Sequence, residues 1–158
     1  MAEIAAEIDQ DYADAGEVLI LGVLRGAYIF LSDLSRALTI PRSIDFIALS
    51  SYEKASSAGG VRLIMDSRMS LAGKHVLIVE DILDSGQTLA YLLRLFEARG
   101  PASIKTCVLV RKPDRQIEVE VDYLGFDIPD EWVVGYGLDY AEQNRTLPYI
   151  GVIKPTDS

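Results

Sequence analysis

The chain predicts an α/β domain built on a mostly parallel central sheet flanked by helices, with a small lobe added towards its C-terminal end. Three observations carry this. Helical spacing alternates with short apolar runs in the order helix, strand, helix, strand, loop, strand, helix, strand, the pattern of parallel strands joined by crossovers. The run Val18–Val23 is apolar throughout rather than alternating, as in strands covered on both faces. A length of 158 residues supplies one domain with a real core, 1–158, but not two of ordinary size.

Ile4, Ile8 and Tyr12 form a stripe at fourfold spacing, so residues 2–15 are expected to be an amphipathic helix ended by Gly16. Val18–Val23 is the first strand, and Gly22 and Gly26 bracket the turn after it. Tyr28, Leu31, Leu34 and Leu38 place a helix over 27–39, which Pro41 stops. Ile44–Leu49 is a second strand. Residues 50–60 are rich in Ser, Ala and Gly and are expected to be a mobile loop, with a short strand at Val61–Met65. Gly73 precedes a buried strand over 75–80. A helix follows over 88–99, halted by Gly100-Pro101. Ile104–Val110 is another strand, and Val119–Gly125, Val133–Tyr136 and Tyr149–Ile153 are shorter ones.

Apolar content of 49% and charged content of 25% belong to an ordinary globular protein. The apolar runs are too short to span a bilayer. The acidic start, Met1-Ala2-Glu3-Ile4, has neither a basic nor an apolar leader region, so a cytoplasmic location is expected. The net charge of −9 and scattered basic residues argue against nucleic acid as a partner. A single cysteine, Cys107, excludes a disulfide or a cysteine-based zinc site within one chain. The single histidine, His75, sits at a strand start and offers no nucleophile-base pair.

The chemistry lies in residues 76–88, Val-Leu-Ile-Val-Glu-Asp-Ile-Leu-Asp-Ser-Gly-Gln-Thr. A buried strand runs into two carboxylates, then a third, then a small polar loop that opens a helix. In open parallel sheets ligands sit beyond the carboxyl ends of strands. A helix N-terminus with Ser85, Gly86 and Thr88 favours an anion there. Glu80 and Asp81 would repel a phosphate unless they served sugar hydroxyls or Mg2+. They start towards opposite faces of the strand. Asp84, in the loop, suits proton exchange with a heterocycle; capping the helix is the competing use of Asp84 or Ser85. Neither the nucleoside-triphosphate loop pattern nor the dinucleotide glycine fingerprint is present.

Here the chain resembles the purine phosphoribosyltransferases, most closely the bacterial hypoxanthine (hypoxanthine-guanine) branch. Val79–Thr88 is similar to that family's motif for phosphoribosyl pyrophosphate (PRPP). Gly22-Val23-Leu24-Arg25-Gly26-Ala27, Leu109-Val110-Arg111-Lys112-Pro113 and Gly125–Tyr140 match in the same order, and Arg145 with Leu147–Gly151 continues the pattern. The resemblance implies the type I phosphoribosyltransferase-like fold with a small hood, drawn largely from the C-terminal segment. It implies transfer of the 5-phosphoribosyl group from PRPP to hypoxanthine, with guanine as a second base, giving IMP or GMP and pyrophosphate. The alternatives are a xanthine-guanine preference, or a regulatory PRPP-binding protein without transferase activity.

Roles follow from the same resemblance. Glu80 and Asp81 would hold the ribose hydroxyls, and Glu80, Asp81 and Asp139 would hold Mg2+. Asp84 would face N7 of the purine, and residues Asp84, Ser85, Gly86, Gln87 and Thr88 would bind the 5′-phosphate. Arg25, Gly26 and Arg145 would bind pyrophosphate, in a loop where the family often has a cis peptide. Lys112 would donate to the purine O6, although a stretch after it about one residue shorter than in relatives leaves Arg111 as the neighbouring candidate. Trp132 would stack on the ring, the Val133 backbone would read its edge, and Asp139 would complete the purine site. A lid over about 50–62, beginning at Ser51 and Tyr52, would exclude water. The resemblance further implies a homodimer or homotetramer. The chain starts close to its first strand, so the N-terminal arm of relatives is expected to be short here.

Overall fold

Helix α1 (Ala2–Asp11) leads into strand β1 (Val18–Leu24), helix α2 (Tyr28–Ala37) and strands β2 (Arg42–Tyr52) and β3 (Gly60–Met65). Strand β4 (His75–Leu83), helix α3 (Gln87–Glu97) and strands β5 (Ser103–Arg111) and β6 (Tyr123–Asp127) complete the main body, and β7 (Val133–Val134) and β8 (Gly151–Val152) form a separate antiparallel pair. The computed structural model describes residues 1–52, 60–113 and 118–154. Its main sheet has the order β3-β2-β1-β4-β5-β6, parallel throughout except for the β2–β3 pair. Among the described residues, no helix is long and apolar enough to cross a membrane.

Alternation along the strands builds two cores. Ile20 of β1, Leu77 and Val79 of β4 and Cys107 and Leu109 of β5 pack beneath Ile4, Ile8, Phe30, Leu31 and Leu34 of α1 and α2. Leu19 and Leu21, Val76 and Ile78, and Val108 point the other way onto Leu89, Leu92 and Phe96 of α3. Because β1 and β4 are covered on both faces, they tolerate no polar residue until their ends. Each fully buried Leu, Ile or Phe contributes about 1.5–3 kcal/mol, so these layers fix the register of the two strands that carry the site.

Several boundaries differ from expectation. The first helix stops at Asp11 rather than at residue 15. Its last turn carries no basic residue, and Asp9, Asp11 and Asp14 oppose the dipole at that end. Strand β2 extends to Tyr52, so Ser50, Ser51 and Tyr52 are strand rather than loop: Ser51 pairs with Val61 and Tyr52 with Gly60. Residues 60–62 of the expected lid are likewise strand, the start of β3, and 53–59 lie outside the described residues. Strand β4 runs to Leu83 instead of ending at residue 80. The expected strand Val119–Gly125 is displaced to Tyr123–Asp127, because side chains take over the ladder before it. Asp122 accepts the Thr106 N–H at 2.8 Å, and the Glu120 carbonyl accepts the Thr106 hydroxyl at 3.0 Å. The hood strands shrink to two residues each, since Gly135, Tyr136 and Gly137 all take positive φ and cannot continue an extended chain.

Candidate active site

Strand β1 pairs with β2 on one side and β4 on the other. The two crossovers leave in opposite directions, so a crevice opens at the carboxyl ends of β1 and β4. Both sequence motifs with chemistry end there: Leu24-Arg25-Gly26 from β1 and residues 80–88 from β4. The Leu24–Arg25 peptide is cis.

The loop after β4 turns through Gly86, at φ 83, directly into α3. That conformation suits glycine, and it aims the first-turn amides of α3 outward. A cavity of about 160 Å³ lies against the loop, lined by Glu80, Ile82, Asp84, Ser85, Gly86 and Thr88. Ser85 Oγ accepts the Gln87 N–H at 3.3 Å. The serine therefore supports the helix start, while α3 has no side-chain cap bond at its N-cap position.

Glu80 and Asp81 diverge, as alternation requires. Glu80 is 6% exposed, and its Oε2 has no hydrogen-bond partner. Burial, reinforced by the neighbouring Asp81 charge, holds its carboxyl well above the usual range. Asp81 points towards the β1 loop. A Cβ on Gly26 would lie 1.7 Å from Asp81 Oδ2, so the carboxylate occupies the space that the missing side chain leaves. Burial pushes Asp81 up to about 6; the Asp139 charge adds to the rise, and the Ile82 N–H and Arg145 oppose it. A Cβ on Gly137, at φ 102, would lie 2.0 Å from the Gly26 carbonyl oxygen. The β1 loop, the acidic strand and the hood thus meet at two glycines.

The hood brings Arg145 to the same place. Arg145 donates to the Gly137 carbonyl at 2.8 Å and pairs with Asp139 at 3.0 Å, with its side chain only 17% exposed. This largely covered ion pair sits beside Asp81. Asp139 also accepts the Glu142 N–H at 2.8 Å.

A second group converges on the other side of the loop. The Lys112 N–H donates to the Leu83 carbonyl at 2.9 Å, which clips the end of β5 to the end of β4. Its Nζ lies 3.2 Å from Asp130, 4.0 Å from Asp84 and 5.6 Å from the centre of the Trp132 ring. Arg111 is turned away in a two-pronged pair with Asp127, at 2.6 and 2.9 Å. Of the two neighbouring cations, only Lys112 thus faces Asp84 and Trp132. Trp132 is 58% exposed and meets Tyr140 edge to face at 5.6 Å. An indole this exposed is not part of the core. Val133 is anchored by pairing with Val152, and the Trp132 carbonyl accepts the Ile153 N–H at 2.8 Å. Ser51 and Tyr52 end β2, which is parallel to β1 and therefore finishes at the same end of the sheet.

Asp130, Gly137, Tyr140 and Glu142 were not anticipated from sequence. Glu142 had a visible signal, since it lies midway between Asp139 and Arg145 in Asp-Tyr-Ala-Glu-Gln-Asn-Arg. Cys107 is buried and burial pushes its thiol up, which leaves it a packing residue. His75 is half-buried, with Nδ1 2.7 Å from Ser103 Oγ at the opposite end of the strands.

Residues 1–141 match the phosphoribosyl transferase domain family. The chain belongs to the phosphoribosyltransferases. Among curated relatives of this family, the chain is 46% identical to a hypoxanthine-guanine phosphoribosyltransferase of Dictyostelium discoideum, covering 98% of this chain and 88% of that one. It is 46% identical to the Bacillus subtilis hypoxanthine-guanine phosphoribosyltransferase, covering 97% and 86%. Among solved phosphoribosyltransferases, a Trypanosoma cruzi hypoxanthine phosphoribosyltransferase in a ternary substrates complex superposes with a TM-score of 0.92 at 42% identity, covering 98% and 88%. These likenesses place the chain on the hypoxanthine-guanine branch of the phosphoribosyltransferases, with the type I fold that the parallel sheet and hood display.

Among the described residues, no three acidic, histidine or cysteine side chains form a ready-made metal cage. Mg2+ does not need one, because it usually takes one or two carboxylates and fills the rest with water and substrate phosphates. Asp81 is raised by burial and by the charge of Asp139. A cation shared by these two hard oxygen donors would relieve that repulsion, so the residues present fit Mg2+.

Proposed function

We propose that this protein is a cytoplasmic, Mg2+-dependent purine salvage enzyme that transfers the 5-phosphoribosyl group of PRPP to hypoxanthine and guanine. The observation that carries the reading is the placing of Asp84 between two sites. On one side lies the phosphate-type loop with its carboxylates. On the other, Lys112 stands 4.0 Å from Asp84 and 5.6 Å from the ring of Trp132. The relatives named above are transferases of hypoxanthine or of hypoxanthine and guanine, which supports the same substrates here. It acts as a homodimer or homotetramer; one related T. cruzi structure is described through the role of a C-terminal region in oligomeric state.

In this reading the 5′-phosphate sits on the loop amides and hydroxyls of residues 84–88. Glu80 and Asp81 hold the ribose hydroxyls. The purine lies against Trp132, with the Val133 backbone at its edge and Lys112 donating to O6. Lys112 exchanges its bond to Asp130 for one to the base. The bond between the anomeric carbon and a purine ring nitrogen forms as the bond to pyrophosphate breaks, and the proton displaced from N7 goes to Asp84. Arg25 and Arg145 hold the departing pyrophosphate. Asp81 and Asp139 would hold Mg2+, with Glu80 behind them, and the ion supplies charge neutralisation on the diphosphate oxygens. The protein's own share is positioning and preorganised charge.

A donor aimed at O6 discriminates against adenine, whose amino group leaves the ammonium unpaired. Purified protein given PRPP, Mg2+ and one of hypoxanthine, guanine, xanthine or adenine should release pyrophosphate with the first two. Adenine should be at least about 100-fold poorer. Release with xanthine and guanine but not hypoxanthine would move the preference to the xanthine-guanine type, and no release with any base would remove the assignment.

A further inference from the structure

The two guanidiniums that the proposed function reserves for pyrophosphate already share an anion from the chain itself. Arg25 reaches across 117 residues of sequence to Glu142, donating through Nη2 to Oε1 at 3.0 Å, with Nη1 2.9 Å from Oε2. The same Oε2 lies 3.3 Å from Nη2 of Arg145. One carboxylate therefore bridges the arginine of the β1 loop and the arginine of the hood. Its backbone is held in a tight turn. Ala141, Glu142 and Asn144 all take positive φ, Tyr140 bridges to Gln143, and the Glu142 N–H is fixed on Asp139. Three non-glycine residues in that region are uncommon, and together they project the Glu142 side chain at Arg25.

We propose that Glu142 is a positioning residue that occupies the anion place between Arg25 and Arg145 and competes there with the diphosphate of PRPP and with pyrophosphate. The inference rests on the proposed function, which assigns these arginines to pyrophosphate. The two arginines are aimed at one carboxylate, and a diphosphate must displace it to use them. The pair is accessible, with the Arg25 and Glu142 side chains 68% and 57% exposed. Its strength is therefore that of a surface pair, less than about fivefold in an equilibrium constant. A ligand carrying several charges exceeds that readily. Glu142 thus weakens the diphosphate site by a small, set amount, which favours release of product pyrophosphate.

The test is calorimetric titration of intact protein with pyrophosphate plus Mg2+, with PRPP plus Mg2+, and with IMP as a ligand that carries no diphosphate. Glu142→Gln and Glu142→Ala should each bind pyrophosphate and PRPP about 2- to 5-fold more tightly, with IMP affinity unchanged. In steady state, KM for PRPP should fall in both variants while kcat does not rise. Unchanged or weaker pyrophosphate binding in both variants would overturn the proposal while leaving the site in place. If the wild-type protein bound neither PRPP nor pyrophosphate, the site assignment would fall and this inference with it.

Discussion

Replacing Gly26 by alanine probes how the β1 loop and the acidic strand are fitted together. The added Cβ would stand 1.7 Å from Asp81 Oδ2 and 2.3 Å from its Cγ, where ordinary contact begins near 3.4 Å. The carboxylate must retreat by more than 1 Å. Gly26 does not take a positive φ, so the backbone accepts alanine and the strain falls on the side chain of Asp81. A misplacement of about 1 Å in a positioning group costs about 100-fold in rate. We expect kcat/KM for PRPP to drop by about that factor. The melting temperature should move by less than about 4 °C, the shift that about 1 kcal/mol gives a domain of this size. Gly137→Ala makes the contrast: its Cβ meets a backbone carbonyl at 2.0 Å and must sit at φ 102, so stability falls along with activity. Steady-state kinetics and thermal melts of both variants decide the matter. Wild-type kcat/KM in Gly26→Ala would show that the placement of Asp81 against the loop does not matter to the reaction.

Three further outcomes are expected. Asp84→Asn should lower kcat by about 10- to 1000-fold, as loss of a proton acceptor does, while PRPP affinity measured by calorimetry largely survives; an unchanged kcat removes Asp84 from proton transfer. Trp132→Ala should raise KM for hypoxanthine by about 5- to 150-fold, the range for losing one aromatic stack, and leave KM for PRPP within about twofold. Asp81→Asn should stabilise the ligand-free protein near neutral pH. Burial raises the Asp81 carboxyl from 3.8 to about 6, so the folded state binds its proton more tightly than the unfolded chain. The penalty for ionising it is absent below about pH 4, grows between about pH 4 and 6 and is constant above that. Urea unfolding should show a gain of about 1–3 kcal/mol at pH 7.5 that disappears near pH 4, and a gain independent of pH would contradict this origin.

The legible parts of the chain were those governed by period and by short motifs. Continuous apolar runs located β1, β4 and β5 to within a few residues, because strands covered on both faces have no room for polar side chains. The acidic end of β4 stood out for the same reason: Glu80 and Asp81 interrupt such a run, and burial there is costly without a use. The hood was less legible. Its two-residue strands are set by positive φ at Gly135, Tyr136 and Gly137, which hydrophobic spacing does not reveal. The shift of β6 had a similar cause, since Asp122 and the Glu120 carbonyl satisfy Thr106 in place of a ladder partner. Pairings such as Glu142 with Arg25 join residues 117 apart in sequence, and only the topology brings them together. The pairing of Arg111 with Asp127, which turns that arginine away from Asp84 and Trp132, was likewise hidden in the sequence.

The most direct measurement is a crystal structure of the protein with its product nucleotide, IMP. The phosphate should lie on the amides and hydroxyls of residues 84–88, the ribose hydroxyls on the carboxylates that end β4, and hypoxanthine against the indole with its oxygen at the Lys112 ammonium. A nucleotide seated elsewhere on the fold, or one turned so that its base contacts the 84–88 loop and its phosphate the tryptophan, would contradict the account.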